Sequence, residues 1–384
     1  QASRPSARPL PAPAPLRRTS IVPPSRPLPP PPPPGRPWAA PGAGGMATPL
    51  AKRARTEGAE AQDAGVMLVT MGEAMLRFAP IDDEPPATST RHRPQKFLRS
   101  LGGDELNVAV ASAQLGTRSR WVSVIPTGPL GDVVSESCAE HGVECAGQRV
   151  EGDLGIFTVL PEAKIVHYQR RRSAFALHDP KTLDWAELLR PSPRDDSGNA
   201  RPTRSWLHVT GITPLVSSNA LKSWNNAIEQ AKQLGIPISL DLNHRKQLGS
   251  LEELWGMVKP HAAALEVLVL SEEQLMGLAT FYNIATPVAH EVGAESDDEP
   301  LARVMLEMLT LWSCRRIALC RKRRDASGLQ RRWSLLVGVG CGASHVSTRN
   351  VSVWHRPLDD LGGGSAWLAG LLDALAFHPA TAAA

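Results

Sequence analysis

From residue 66 onward the apolar positions fall into short runs rich in β-branched residues, separated by stretches in which they recur three and four residues apart. The runs predict strands at 66–71, 120–125, 156–160, 206–210, 236–242, 265–270, 316–320 and 334–339. The stretches between them predict helices at 105–115, 130–141, 218–234 and 301–312. Strand and helix taken in turn require a mostly parallel sheet with helices on both faces, so the pattern predicts a doubly wound α/β domain. Two stretches break the rhythm and read as surface insertions: 191–204, dense in Pro, Ser, Asp and Arg, and 280–300, which ends in an acidic run.

Before residue 66 the pattern is absent. Residues 1–50 carry 17 of the 35 prolines, including the unbroken run from Pro29 to Pro34, and the first 55 residues hold nine Lys or Arg and no Asp or Glu. Proline fixes φ and removes an amide donor, so 1–65 is expected to be a disordered Pro/Arg-rich segment. It is Arg-rich and acid-poor, as transit peptides are, yet it lacks their amphipathic pattern. Two readings stay open: a transit segment over 1–45, which would place the protein in a plastid or mitochondrion, or a true start at Met46 and a cytoplasmic protein. Lys52-Arg53-Ala54-Arg55 is too short to favour a nuclear signal over a solvated tail.

With 384 residues, 42% of them hydrophobic, the chain can bury a sizeable core. It has no apolar run of eighteen residues, which excludes a spanning helix. A net charge of +4 is nearly balanced, and the ten tryptophans form no stacking platform among basic residues, so nucleic-acid binding is not expected. Five cysteines (Cys138, Cys145, Cys314, Cys320 and Cys341) are an odd number at no metal-like spacing. They argue against a disulfide framework and a structural zinc site, and for a reducing compartment. Cys320 and Cys341 flank strands and read as small buried hydrophobes. The eleven histidines show no pair at ligand spacing, and no protein metal site is expected.

Three segments carry candidate chemistry. The first strand stops at Gly72 and presents Glu73. In Gly102-Gly103-Asp104-Glu105-Leu106-Asn107, two glycines precede an acidic helix start, a geometry that lets backbone amides approach a hydroxylated or anionic ligand. An ordinary helix cap after a tight turn has the same pattern. Near the C-terminus, Asp359-Asp360-Leu361-Gly362-Gly363-Gly364-Ser365-Ala366 opens another predicted helix with a glycine turn. Such a turn also needs no ligand.

Together these segments resemble the ribokinase-like (PfkB-type) sugar kinases, and among them the 2-keto-3-deoxygluconate kinases, from about residue 66 to 372. The resemblance implies a three-layer α/β/α domain over 66–384 with a small β-sheet lid drawn from parts of 78–99 and 150–175. It implies ATP with Mg2+, a sugar or sugar-acid substrate, and lids that pair across a homodimer in some members. Glu73, Gly102, Gly103, Asp104 and Asn107 match the family's sugar-side positions. Tyr168 and Arg170, with Arg245 of Asp241-Leu242-Asn243-His244-Arg245, match residues that hold the acid group, and a guanidinium fork suits a carboxylate. Without the resemblance, Arg170 to Arg172 would read as a solvated face. Gly362, Gly363 and Gly364 match the anion-holding turn, Asp359 the start of that signature, and Gly328 the one surviving glycine of the nucleotide loop.

The departures cluster in the catalytic and nucleotide regions. Ser365 stands where the family has its catalytic aspartate, and a serine hydroxyl is not basic near neutral pH. Ser271 and Gln274 replace the Asn and Glu of an Asn-x-x-Glu segment that organises magnesium and phosphates, leaving Glu272 or Glu273 to compensate. A basic run, Cys320-Arg321-Lys322-Arg323-Arg324, occupies the nucleotide-loop region, as a phosphate site or as a patch for an acidic partner. Family members continue with further helix beyond the position of Gly370. Three readings follow: an ATP-dependent sugar-acid kinase, a catalytically silent relative acting through sugar or protein binding, and an unrelated α/β binding protein.

Overall fold

In the computed structural model, β1 (Val66–Met71) sends alternate side chains to opposite sides of a sheet, and both sides are buried. Val66 and Leu68 join a cluster with Val108, Trp206 and Leu368, while Met67, Val69 and Met71 join a larger one with Trp224, Leu254 and Met305. A strand covered on both faces reads as a continuous apolar run, as this one does. The structure describes residues 65–80, 96–160, 165–191, 204–286, 298–324, 330–339, 342–346 and 362–377. Gly328, Cys341, Asp359 and the Pro/Arg-rich segment lie outside the described residues.

Among the described residues the remaining strands are β2 (Met75–Pro80), β3 (Phe97–Gly102), β4 (Arg118–Pro126), β5 (Val143–Val150), β6 (Gly155–Leu160), β7 (Ile165–Gln169), β8 (Arg204–Thr210), β9 (Ile238–Asp241), β10 (Leu265–Leu270), β11 (Arg316–Arg324), β12 (Gln330–Gly338) and β13 (Gly342–Val346). The helices are α1 (Asp104–Gln114), α2 (Pro129–Glu140), α3 (Ala174–Leu177), α4 (Trp185–Leu188), α5 (Ser218–Gln233), α6 (Leu251–Val258), α7 (Glu272–Phe281), α8 (Asp298–Trp312) and α9 (Gly363–Phe377). The main sheet has the order β13-β12-β11-β10-β9-β8-β1-β4-β5. It is parallel from β11 to β5, and β12 and β13 extend it antiparallel. Helices α1, α2 and α9 cover one face and α5 to α8 the other, which is the expected doubly wound α/β/α arrangement.

From β1 the chain builds outward to β4 and β5 on one side and to β8 through β11 on the other. That reversal of winding opens a crevice at the carboxyl ends of the strands beside β1, the usual ligand position in such sheets. A second sheet, of order β3-β2-β6-β7, forms the small lid. It begins earlier than residue 78, at Met75, and runs through Gly102, and the expected lid residues 81–95 and 161–164 lie outside the described ones.

The predicted strands and helices all form, with ends shifted by a few residues. Strands β2, β3, β5, β7 and β13 were not predicted. Three of them bury little: β3 opens with three exposed residues, β5 buries only Val143, and every second residue of β7 is exposed. Strand β11 runs past its predicted end at residue 320 to Arg324, because nine rungs pair it with β12 from Arg316↔Gly338 to Arg324↔Gln330. The basic run is therefore strand, and Cys320 sits within it, half-buried. The ends of the 280–300 stretch also belong to helices: Thr280 and Phe281 close α7, and Asp298 to Pro300 open α8. Among the described residues no helix is long and apolar enough to cross a membrane.

Candidate active site

Close backbone approach makes the site. After β1, Gly72 leaves room for Glu105: a Cβ there would sit 2.1 Å from the Glu105 carboxylate. A Cβ on Gly102 would meet the Phe157 ring at 2.8 Å, and one on Gly103 would meet the Glu73 carbonyl at 2.4 Å. The glycine pair thus lets the end of β3 and the start of α1 close onto the chain that leaves β1. No side chain caps α1, whose first turn carries Asp104 and Glu105. Asn107 accepts this geometry by donating its backbone N–H to the Gly103 carbonyl at 2.8 Å.

The result is a cavity of about 370 Å3 at the carboxyl ends of β1, β8 and β9, with β2, β3, β6 and β7 of the lid on its other side. Every residue expected on the sugar side lines it: Glu73, Gly102, Gly103, Asp104, Asn107, Tyr168, Arg170 and Arg245. Gly362, Gly364 and Ser365 reach it from the start of α9, while Gly363 does not line it. Gly362 has φ 84°, a conformation that suits glycine, and its carbonyl accepts from the Ala366 N–H at 3.0 Å to open the helix. The first turn of a helix carries amides without intrahelical partners, so α9 starts with donors available for an anion.

Two ion pairs tie the cavity walls together. Arg170 is buried and gives both Nε, at 2.6 Å, and Nη2, at 2.5 Å, to Glu73 Oε2. Burial raises the Glu73 carboxyl and Arg170 opposes that shift. Arg170 is therefore no solvated residue, unlike Arg171 and Arg172, which are exposed. Arg245 Nη2 donates to Asp104 Oδ2 at 3.0 Å, and Ser365 Oγ donates to Asp104 Oδ1 at 3.1 Å. Asp104 thus joins α1, the segment after β9 and α9 at one carboxylate. Tyr168 stacks obliquely on Phe157 with ring centroids 5.8 Å apart.

Three lining residues carry chemistry that sequence reasoning did not assign. Glu105 is buried and accepts from the Thr210 and Thr213 hydroxyls at 2.6 and 2.8 Å, and burial lifts its carboxyl to about 7. Asp241 is lifted to about 7 by burial and by the neighbouring Asp104. Arg77, on β2, adds a third guanidinium to the wall. The signal for Asp241 was its place at the end of a buried strand, but nothing local distinguishes Glu105 from an ordinary helix-start acid.

The expected nucleotide-side residues behave differently. Ser271 and Gln274 cap α7 reciprocally: Ser271 Oγ accepts from the Gln274 N–H at 3.2 Å, and Gln274 Oε1 accepts from the Ser271 N–H at 2.8 Å. A capping box satisfies two amides that the helix start would otherwise leave open. Glu272 pairs at 3.4 Å with Arg321, which is 1% exposed and also pairs with Asp298. Glu273 pairs with Lys246 at 2.9 Å. None of these residues lines the cavity, and Arg321 is no surface cation. No group of three or more His, Cys, Asp or Glu among the described residues is arranged to hold a metal.

The family model for pfkB family carbohydrate kinases matches residues 66–269. The chain belongs to the pfkB family. The match spans β1 through nearly all of β10, and so includes the sugar-side residues and stops before Ser271. A 2-dehydro-3-deoxygalactonokinase of Haloferax volcanii is 28% identical over 238 residues, 60% of this chain and 69% of that protein. A 2-dehydro-3-deoxygluconokinase of Bacillus subtilis is 28% identical over 246 residues, 59% and 70% of the two chains. The crystal structure of 2-dehydro-3-deoxygluconokinase from Thermotoga maritima superposes with a TM-score of 0.62 at 23% identity, covering 80% of this chain and 87% of that one. That likeness establishes the ribokinase-like fold: a mainly parallel sheet between helices, with a four-stranded lid.

Proposed function

We propose that this pfkB-family chain is an ATP-dependent kinase of 2-keto-3-deoxy sugar acids, transferring the γ-phosphate of Mg-ATP to a sugar hydroxyl. The observation that carries the reading is a cavity under the lid that gathers the sugar-side residues and the opening turn of α9. Its size suits a small sugar acid and its wall carries Arg77, Arg170 and Arg245, suited to an acid substrate. The relatives named for 2-dehydro-3-deoxy sugar acids support the same class.

In this reading the sugar acid sits against the Glu73–Arg170 pair, Tyr168 and Asn107, and the lid excludes water that would hydrolyse the phosphoryl group. The amides at the start of α9 face the charge that builds on the transferring phosphoryl oxygens. Phe97, Leu98 and Ile165 are exposed apolar residues on the lid strands, as pairing of lids across a homodimer would require.

Calorimetric titration with 2-keto-3-deoxygluconate, 2-keto-3-deoxygalactonate and Mg-ATP, together with an ADP-release assay, tests the proposal. Binding of at least one sugar acid and of Mg-ATP, with ADP formed only when both are present, is the expected result; failure of both sugar acids to bind overturns the substrate class. Ser365 favours a second reading, a family member that binds sugar without turnover. Binding without ADP release is what that reading requires.

A further inference from the structure

The wall of the cavity holds four carboxylates, and one of them touches the serine. Glu73 is held by Arg170, and Glu105 accepts from Thr210 and Thr213. Asp241 Oδ1 accepts from the Asn243 N–H at 3.0 Å. Asp104 alone among the described acids takes the Ser365 hydroxyl, at 3.1 Å, while Arg245 fixes its other oxygen. Ser365 is 6% exposed and Asp104, half-buried, belongs to the cavity wall, so the contact lies within the site. A hydroxyl that donates to a carboxylate keeps its lone pairs free to accept a second proton.

We propose that Ser365 and Asp104 form a proton relay that performs the work of the missing aspartate, the sugar hydroxyl passing its proton to Ser365 Oγ as Ser365 passes its own to Asp104 Oδ1. This rests on the kinase reading above. The sugar oxygen forms a bond to the γ-phosphorus as the bond from that phosphorus to the β–γ bridging oxygen breaks, and ADP leaves with the electron pair. Asp104, now a neutral acid, returns the proton to water after the products leave. Serine alone is a poor base, but a carboxylate one hydrogen bond away supplies the basicity and the serine supplies the reach. Arg245 is a positioning residue: it turns Oδ1 of Asp104 toward Ser365.

A double-mutant cycle on the full chain, read as kcat and KM separately, tests this with Ser365→Ala, Ser365→Asp, Asp104→Asn and the Asp104→Asn, Ser365→Asp pair. Thermal melts and sugar titrations accompany each variant. The relay predicts that Ser365→Ala lowers kcat by about 10²–10⁴-fold with KM little changed, the usual effect of losing a general base. It also predicts that Asp104→Asn costs a similar factor in kcat in the natural background and less than about tenfold once Ser365→Asp provides a direct base. An equal loss in both backgrounds makes Asp104 a binding residue only and overturns the relay, as does wild-type turnover in Ser365→Ala. Loss of kcat in Asp241→Asn with Asp104→Asn unaffected assigns the base to Asp241 and also overturns it. Turnover by Ser365→Asp alone keeps the kinase ancestry and refutes the relay. Absence of turnover in both the wild type and Ser365→Asp, with both ligands bound, overturns the kinase reading itself.

Discussion

The cavity beside β1 and the corner where α7 meets β11 were both expected to serve one reaction, and the fold treats them differently. In the cavity, residues scattered from Glu73 to Ser365 converge, and their polar groups face a common space. At the α7 corner the corresponding positions satisfy one another: Ser271 with Gln274 across a helix cap, and Glu272 with Arg321 and Asp298 in a buried ion cluster. The same residue type is a candidate for chemistry where its partners leave a face open to a cavity, and structural material where they do not.

That contrast can be broken most forcefully at Arg321. If its cluster is structural, Arg321→Ala leaves Glu272 and Asp298 without their buried cation and lowers stability by about 3–5 kcal/mol, measured by urea denaturation. Sugar affinity in the folded fraction stays unchanged. A loss of Mg-ATP binding with stability intact would return the cluster to the nucleotide side.

On the cavity side, Glu105 offers a pH signature. Burial raises its carboxyl from an ordinary 4.5 to about 7, so the folded chain retains a proton that the unfolded chain has released. Stability is undiminished by this group below 4.5 and is lost as pH rises through about 7, on the order of 3 kcal/mol in all. Glu105→Gln still accepts from Thr210 and Thr213 but cannot ionise. Denaturation at pH 4 and pH 8 is expected to show the difference between the two shrinking by that amount, and an unchanged difference would mean that Glu105 is not desolvated.

Smaller effects sharpen the boundary. Gly103→Ala places a Cβ against the Glu73 carbonyl and is expected to cost about 1–3 kcal/mol and to weaken sugar-acid binding measured by calorimetry. Ser271→Ala removes one side of the α7 cap and is expected to cost about 1 kcal/mol with sugar affinity unchanged. Equal effects of the two on sugar binding would erase the distinction between the regions.

Much of the fold was legible because the central strands are buried on both faces and therefore continuous in their apolar character, as in β1, β8 and β10. The lid was harder to read. Strands such as β3 and β7 expose most of one face, so neither an apolar run nor a clean alternation marks them. The site was legible in parts: Gly102, Gly103, Asp104 and Ser365 stand in recognisable local patterns. Arg321 was misread because a basic run looks the same on a surface and inside a hairpin, and only the pairing of β11 with β12 buries it.

Local sequence determined where the chain turns and which runs could be buried, since both depend on neighbours within a few residues. Tertiary structure decided what each charge faces. Glu73 and Arg170 lie 97 residues apart and Asp104 and Ser365 lie 261 apart, and no periodicity links such positions. They meet because the winding reverses beside β1, which brings the ends of separate strands and the starts of α1 and α9 to one crevice. An electrostatic partnership is a matter of distance in space, and distance in space is set by the topology of the sheet.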